Sequence, residues 1–99
     1  MTPIPDFTIA KLKIIDGGPN ERGARLLASF ELQIIGLIIE GCVLIENSVG
    51  VVRAGGPIGK TSQGHKASVA ILDPVLKRAL TRRIAAAYSG LTGREVADE

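Results

Sequence analysis

The sequence predicts an α+β domain, in which an antiparallel meander of four to five strands carries a C-terminal helix packed on one face. Apolar and polar residues alternate through most of residues 7–53, and this period of two is typical of strands. Over residues 74–90 the apolar spacing changes to three and four, which indicates a helix. The length of 99 residues is that of one small domain. We therefore expect a single domain over residues 1–99, with frayed ends at about 1–5 and 92–99.

The first half of the chain contains four predicted strands. Turn-forming residues at 16–20, a glycine at position 36 and the Asn47-Ser48 pair separate them. Gly41 lies inside the third strand, which indicates a bulge or a close backbone approach. The strands are predicted at residues 7–15, 26–34, 37–45 and 49–53, and one face of the third carries Leu37, Ile39, Gly41, Val43 and Ile45.

The second half begins with a glycine-rich, basic loop over residues 54–66, followed by a short fifth strand over 67–72. Asp73 and Pro74 are typical of an N-cap and a first helical residue, and Gly90 of a helix C-cap. Arg78 and Arg82 lie four residues apart on the face opposite the apolar stripe. The stripe consists of Leu76, Leu80, Ile84, Ala87 and Tyr88, and we expect Arg83 at its border to lay its stem along it.

One helix covers only one face of such a sheet, so the other face needs a partner. The strand pattern leaves several large apolar residues on that second face. We therefore expect a homodimer, formed by sheet packing or by strand pairing. The alternative is a monomer whose terminal segments fold back. The residues expected on the second face are Ile15, Leu27, Ile35, Ile38 and Leu44.

Charge is distributed unevenly along the chain, although the net charge is only +2. Residues 1–52 carry −2, residues 53–94 carry +7 and the last five residues carry −3. A basic segment of this kind predicts a surface that binds a polyanion. The alternative is a solvated surface that happens to be basic.

The single cysteine, Cys42, excludes a disulfide within the chain and fits a reducing compartment. No basic segment followed by an apolar one begins the chain, so we expect no signal peptide and a cytoplasmic protein. Residues 26–45 are apolar, but Glu31, Gln33 and Glu40 would be costly within a bilayer. We expect no membrane partner.

The segment Ala54–Thr61 fits a permissive phosphate-binding-loop pattern, with alanine in the first glycine position. The residues after Lys60 are polar and do not begin an apolar helix. The next strand of such a fold would begin at Val69, only eight positions after Thr61, and a βαβ crossover needs about a dozen or more residues. The pattern alone therefore does not predict nucleotide hydrolysis, and phosphate binding by this loop stays open.

Catalytic and metal-binding constellations are weak. Cys42 lies in an apolar strand and His65 in the basic loop, so a buried, inert thiol is the favoured interpretation. Glu40 and Glu46 share a strand face about 20 Å apart, too far for joint acid–base work. We expect no enzyme activity, no cofactor, no bound metal and no small-molecule substrate.

The basic residues of the second half are the remaining functional signal. Flexible cations and helical arginines can follow a phosphate backbone. With three aromatic residues in the chain, contacts to phosphates are favoured over base stacking. A protein-interaction module without a nucleic-acid role is the alternative. The candidate nucleic-acid-binding residues are Arg53, Lys60, Lys66, Lys77, Arg78 and Arg82.

The order of these segments resembles the SpoVG family (stage V sporulation protein G, or septation regulator) over about residues 9–88. The resemblance lies in residues 8–14, 23–32, 38–52 and 67–88, while the loop Arg53–Thr61 lacks the family's consecutive basic pair. The resemblance implies a small dimeric bacterial regulator that binds DNA and has no catalytic activity, and it leaves open whether RNA is also bound. The family's basic loop and early helix would correspond to Lys60, Lys66, Lys77 and Arg78.

Overall fold

The computed structural model describes residues 4–98, without the side chains of Lys66 and Asp98. It confirms the α+β class, with a four-stranded antiparallel meander and a helix packed against it. The elements are β1 (Phe7–Ile14), β2 (Arg25–Ile34), β3 (Leu37–Glu46), β4 (Val51–Gly55), β5 (Ile58–Lys60), β6 (Lys66–Ser68), α1 (Pro74–Thr92) and β7 (Ala97–Asp98). The main sheet has the order β1-β2-β3-β4-β7, in which β7 is parallel to β4, and β5 and β6 form a separate hairpin.

A bulge at Gly41 confirms the sequence prediction for this position and reverses the facing of the strand after it. Gly41 has a φ of +81°, in the left-handed region that favours glycine. The register between β2 and β3 shifts there by one residue. Cys42 and Leu44 therefore point into the core, because an extra residue inverts the alternation of side chains. The sequence prediction that Val43 and Ile45 share a strand face with Leu37 and Ile39 is therefore wrong.

A second bulge, between Leu26 and Ala28, buries Leu27, which was predicted on the uncovered face. Leu27 and its neighbour Ala28 both point into the core, and so does Leu44. The predicted exposure of Leu27 and Leu44 is therefore wrong. The other apolar residues predicted on that face, Ile15, Ile35 and Ile38, are exposed.

The segment after β4 forms a hairpin, where the sequence predicts a loop followed by a single strand. The predicted fifth strand over 67–72 is replaced by β6, which pairs with β5 instead of joining the main sheet. Gly56 fixes this path, because a Cβ there would lie 2.0 Å from the carbonyl oxygen of Val69. The backbone N–H of Val69 donates to the Pro57 oxygen at 3.0 Å, which closes the base of the hairpin.

The helix begins as predicted and ends later. Asp73 is the N-cap, and its carboxylate accepts from the N–H of Val75 at 2.9 Å. The C-cap is Gly93, with a φ of +75°, and not Gly90, because the left-handed turn that ends the helix occurs only there. No helix within residues 4–98 has the length and apolar character needed to cross a bilayer.

A polar cluster joins the end of α1 to the sheet, where the sequence predicts a frayed end. Arg94 donates from Nη2 to both carboxylate oxygens of Glu46, at 3.0 and 2.9 Å, and from Nη1 to the Tyr88 hydroxyl at 3.3 Å. The Tyr88 hydroxyl in turn donates to the Asp16 carboxylate. Arg25 forms a second ion pair with Glu46, in which Nη1 lies 3.7 Å from Oε1. These contacts fix the chain between α1 and β7.

Candidate nucleic-acid interface

The start of α1 lies against the edge of β4, and Thr81 joins the two. Its hydroxyl accepts a hydrogen bond from the backbone N–H of Ala54 at 3.0 Å and donates to the carbonyl of Lys77 at 2.8 Å. Ala54 lies beyond Val51 and Val52, which β7 pairs, so the hydroxyl satisfies a donor at the strand edge. This contact places the first two turns of the helix beside Arg53.

Three of the predicted cations meet at this junction. Arg53 from β4 and Lys77 and Arg78 from α1 line one depression, together with Pro74 and Thr81. Among the described side chains, no carboxylate lines it. Within the described part of the chain, none of the three cations forms an ion pair or a side-chain hydrogen bond. Three adjacent positive charges without a protein counter-charge favour the binding of an anion. We call Arg53, Lys77 and Arg78 the basic patch.

The other predicted helical cation, Arg82, extends the basic patch by one turn. It is exposed and lies four residues after Arg78 on the same face, as the sequence predicts. Arg83 faces a different part of the molecule. Its guanidinium carbon lies 5.0 Å from the centre of the Phe7 ring, and Nη1 donates to the Phe7 carbonyl at 3.1 Å. It therefore belongs to the packing between α1 and β1.

Lys60 and Lys66 lie on the β5–β6 hairpin, and Lys60 is not among the described residues that line the depression. They are direct cross-strand partners at the end of the ladder, next to the turn. A groove connects the hairpin with the basic patch, since Ile58 and Val69 line it together with Arg53 and Lys77. The structure thus divides the six predicted residues into a patch, its extension at Arg82, and a pair on the hairpin.

The segment Ala54–Thr61, which fits the phosphate-binding-loop pattern, forms the end of β4, a connection and β5. Ala54 and Gly55 end β4, and Lys60 ends β5. A turn and β6 follow Lys60, where a phosphate-binding loop would continue into a helix. Because a turn and a strand follow Lys60 in place of a helix, the segment lacks the helix N-terminus whose N–H groups hold a nucleotide phosphate in that motif.

Cys42, His65 and Glu46 lie in three different surroundings in the structure. Cys42 is buried in the core, and this burial raises the pKa of its thiol, which keeps it protonated and unreactive at neutral pH. His65 is exposed on the hairpin turn. Glu46 is held by Arg94 and Arg25. Across residues 4–98 no group of three or more histidine, cysteine or acidic side chains is placed to hold a metal ion.

Thr81 is the residue of this site that the sequence pattern misses. It lies next to Leu80 in the apolar stripe and is itself buried, so its position resembles that of a core residue. A buried hydroxyl needs a hydrogen-bond partner, and this requirement is the feature of the sequence that could have indicated a structural role for Thr81. The partner itself, a backbone group 27 residues earlier, depends on the packing of α1 on β4.

Comparison of the chain with models of protein families, with curated proteins and with solved structures found no match.

Proposed function

We propose that this protein binds nucleic acid through phosphate contacts made by the basic patch. The observation that carries the proposal is the convergence of Arg53, Lys77 and Arg78 around one depression, which no carboxylate of the described residues lines. Arginine and lysine side chains bind phosphate oxygens by charge-assisted hydrogen bonds. Phosphate contacts position a nucleic acid without reading its sequence.

The proposal includes a dimeric, regulatory role of the SpoVG type. The resemblance of residues 9–88 to that family supports a bacterial regulator that binds DNA or RNA. The exposed Ile15, Ile35 and Ile38 support pairing of two copies. In a two-fold dimer the basic patch would occur twice, which suits a long polyanion. Sedimentation equilibrium at several protein concentrations tests this part separately.

The binding experiment is a titration of labelled DNA and RNA at 50, 100 and 200 mM salt. Each phosphate neutralised by a cation contributes about −0.9 to the slope of log K against log salt on duplex DNA. We expect the variant Arg53→Glu/Arg78→Glu to bind at least tenfold more weakly and to reduce the magnitude of this slope by about two.

The matched control is Lys13→Glu/Arg22→Glu, which changes the net charge equally. Both residues are exposed and lie on β1 and the β1–β2 loop. We expect this control to keep most of the affinity. Equal loss in both variants would indicate an unspecific charge effect. No binding of DNA or RNA by the wild-type protein at 50 mM salt would refute the proposed function.

A protein-interaction module is the second candidate, and the β2–β3 turn favours it. Ile35, Leu37 and Ile38 are all exposed there. A cluster of exposed apolar side chains is typical of a protein-binding surface. A stoichiometric protein partner that survives nuclease treatment and is lost in Ile38→Asp would support this candidate.

A further inference from the structure

The β5–β6 hairpin projects beside the basic patch and has the dimensions of a groove-reading element. Its ladder has three residue pairs, from Ile58 opposite Ser68 to Lys60 opposite Lys66. At about 3.3 Å per residue it is about 10 Å long, and its two strands lie about 5 Å apart. The major groove of B-form DNA is about 12 Å wide and 8.5 Å deep, and it admits a two-stranded ribbon.

The turn of the hairpin presents polar side chains that are free to bind a ligand. The Thr61 N–H donates to the His65 oxygen at 2.7 Å, and the Gly64 N–H donates to the Thr61 oxygen at 2.9 Å. These bonds close the turn through the backbone. Ser62, Gln63 and His65 are exposed, and their side chains make no hydrogen bond to the described residues. The sequence has no acidic residue from position 47 to 72 that would repel phosphates.

The base of the hairpin is fixed to the sheet, so the turn has a defined position relative to the basic patch. Gly56 passes against the Val69 carbonyl, and a Cβ at Gly41 would lie 3.3 Å from the Cβ of Pro57. The groove lined by Ile58, Val69, Arg53 and Lys77 makes the hairpin and the basic patch one continuous surface. A duplex whose backbone rests on the basic patch can therefore present a groove to the turn.

The aromatic residues argue against a single-stranded ligand. Phe30 and Tyr88 are buried, with 2% and 0% exposure, and the guanidinium of Arg83 lies over Phe7. These are all the aromatic residues of the sequence apart from His65. Proteins that bind single strands usually stack bases on exposed aromatic rings. A duplex, whose bases stay stacked on one another, needs no such surface.

We infer that the β5–β6 hairpin enters the major groove of B-form DNA and that Gln63 at its turn contributes sequence discrimination. This inference rests on the proposed function and deepens it. A glutamine amide can donate to N7 and accept from the N6 amino group of one adenine, which is a bidentate contact. A-form RNA has a deep, narrow major groove that side chains cannot read. The hairpin therefore distinguishes duplex DNA from duplex RNA.

The test begins with selection of preferred sites from random DNA duplexes by the wild-type protein. Affinity for a selected duplex is then compared with a shuffled duplex, an RNA duplex of the selected sequence and the single strands, all at one salt concentration. We expect the selected DNA duplex to bind at least tenfold more tightly than each of the others. Gln63→Ala should reduce the ratio of selected to shuffled affinity by about tenfold, without changing the salt slope.

The matched control is Gln33→Ala, which removes the other glutamine of the chain, on β2. It should leave the affinity ratio unchanged, and circular dichroism checks that both variants fold. Enrichment of no sequence, equal binding of DNA and RNA duplexes, or an unchanged ratio in Gln63→Ala would each overturn the inference alone. Absence of all nucleic-acid binding would overturn the proposed function as well.

Discussion

At the scale of single residues, the conformation of Ile35 is costly. Ile35 and Gly36 are the central residues of the β2–β3 turn, with φ values of +44° and +77°. Positive φ at both positions is the pattern of a type I′ turn, which favours Asn-Gly. For a β-branched residue the left-handed region is a genuine outlier. The side chain is also 72% exposed, so packing offsets little of this cost.

We therefore expect Ile35→Asn to increase the free energy of unfolding by about 1 kcal/mol, because asparagine tolerates the left-handed region. Urea denaturation followed by circular dichroism measures the change. The control is Ile38→Asn, a nearby exposed position within β3. It should give no increase, since asparagine is disfavoured in strands. A less stable Ile35→Asn would mean that the isoleucine makes a contact that outweighs its backbone cost.

At the scale of the elements, the bulges explain which parts of the fold could be predicted. Alternation located the four strands of the meander, and Asp73 with Pro74 located the start of α1. In β1 the core positions shift from Phe7 and Ile9 to Leu12 and Ile14. The core positions thus change from odd to even residue numbers along β1, and a pattern with a strict period of two cannot describe this change. Alternation alone therefore assigns the wrong face after each bulge.

Gly41 is the bulge residue whose replacement should be most informative. We expect Gly41→Ala to lower the free energy of unfolding by about 1–2 kcal/mol, because its φ is +81° and the added Cβ would lie 3.3 Å from Pro57. The control is Gly18→Ala, where a Cβ would meet nothing within 4 Å and φ is not positive. Chemical denaturation of both variants tests the difference. Equal stabilities would show that the backbone at Gly41 relaxes without cost.

At the scale of the whole molecule, the candidate site joins residues from two distant segments. The sequence predicted Arg53, Lys77 and Arg78 as members of one basic half, from charge alone. Their convergence depends on α1 lying along β4, and the bond between Thr81 and Ala54 is part of that packing. The separation of Lys60 and Lys66 onto a hairpin depends on the crossing of Gly56 with Val69. Neither contact follows from charge or periodicity.

The cluster around Tyr88 likewise joins separate parts of the molecule and makes stability depend on pH. Burial raises the pKa of the Tyr88 hydroxyl, and its hydrogen bond to Asp16 raises it further, while Arg94 opposes the change. Below about pH 10 the hydroxyl keeps its proton in both the folded and unfolded states, and its stabilising contribution is complete. As pH rises further, the unfolded chain loses this proton first, so the free energy of unfolding falls.

We therefore expect the wild-type protein to lose more stability between pH 9 and pH 11 than Tyr88→Phe, which has no hydroxyl to ionise. Tyr88→Phe should also be less stable at pH 7, because Asp16 loses its donor. Lysine titration affects both proteins equally, so their difference isolates Tyr88. As the chain has one tyrosine, tyrosinate absorbance follows its ionisation directly. If Tyr88 in the folded protein ionised with a midpoint at the ordinary value of about 10, the prediction would be contradicted, because folding would then not shift the pKa of the hydroxyl.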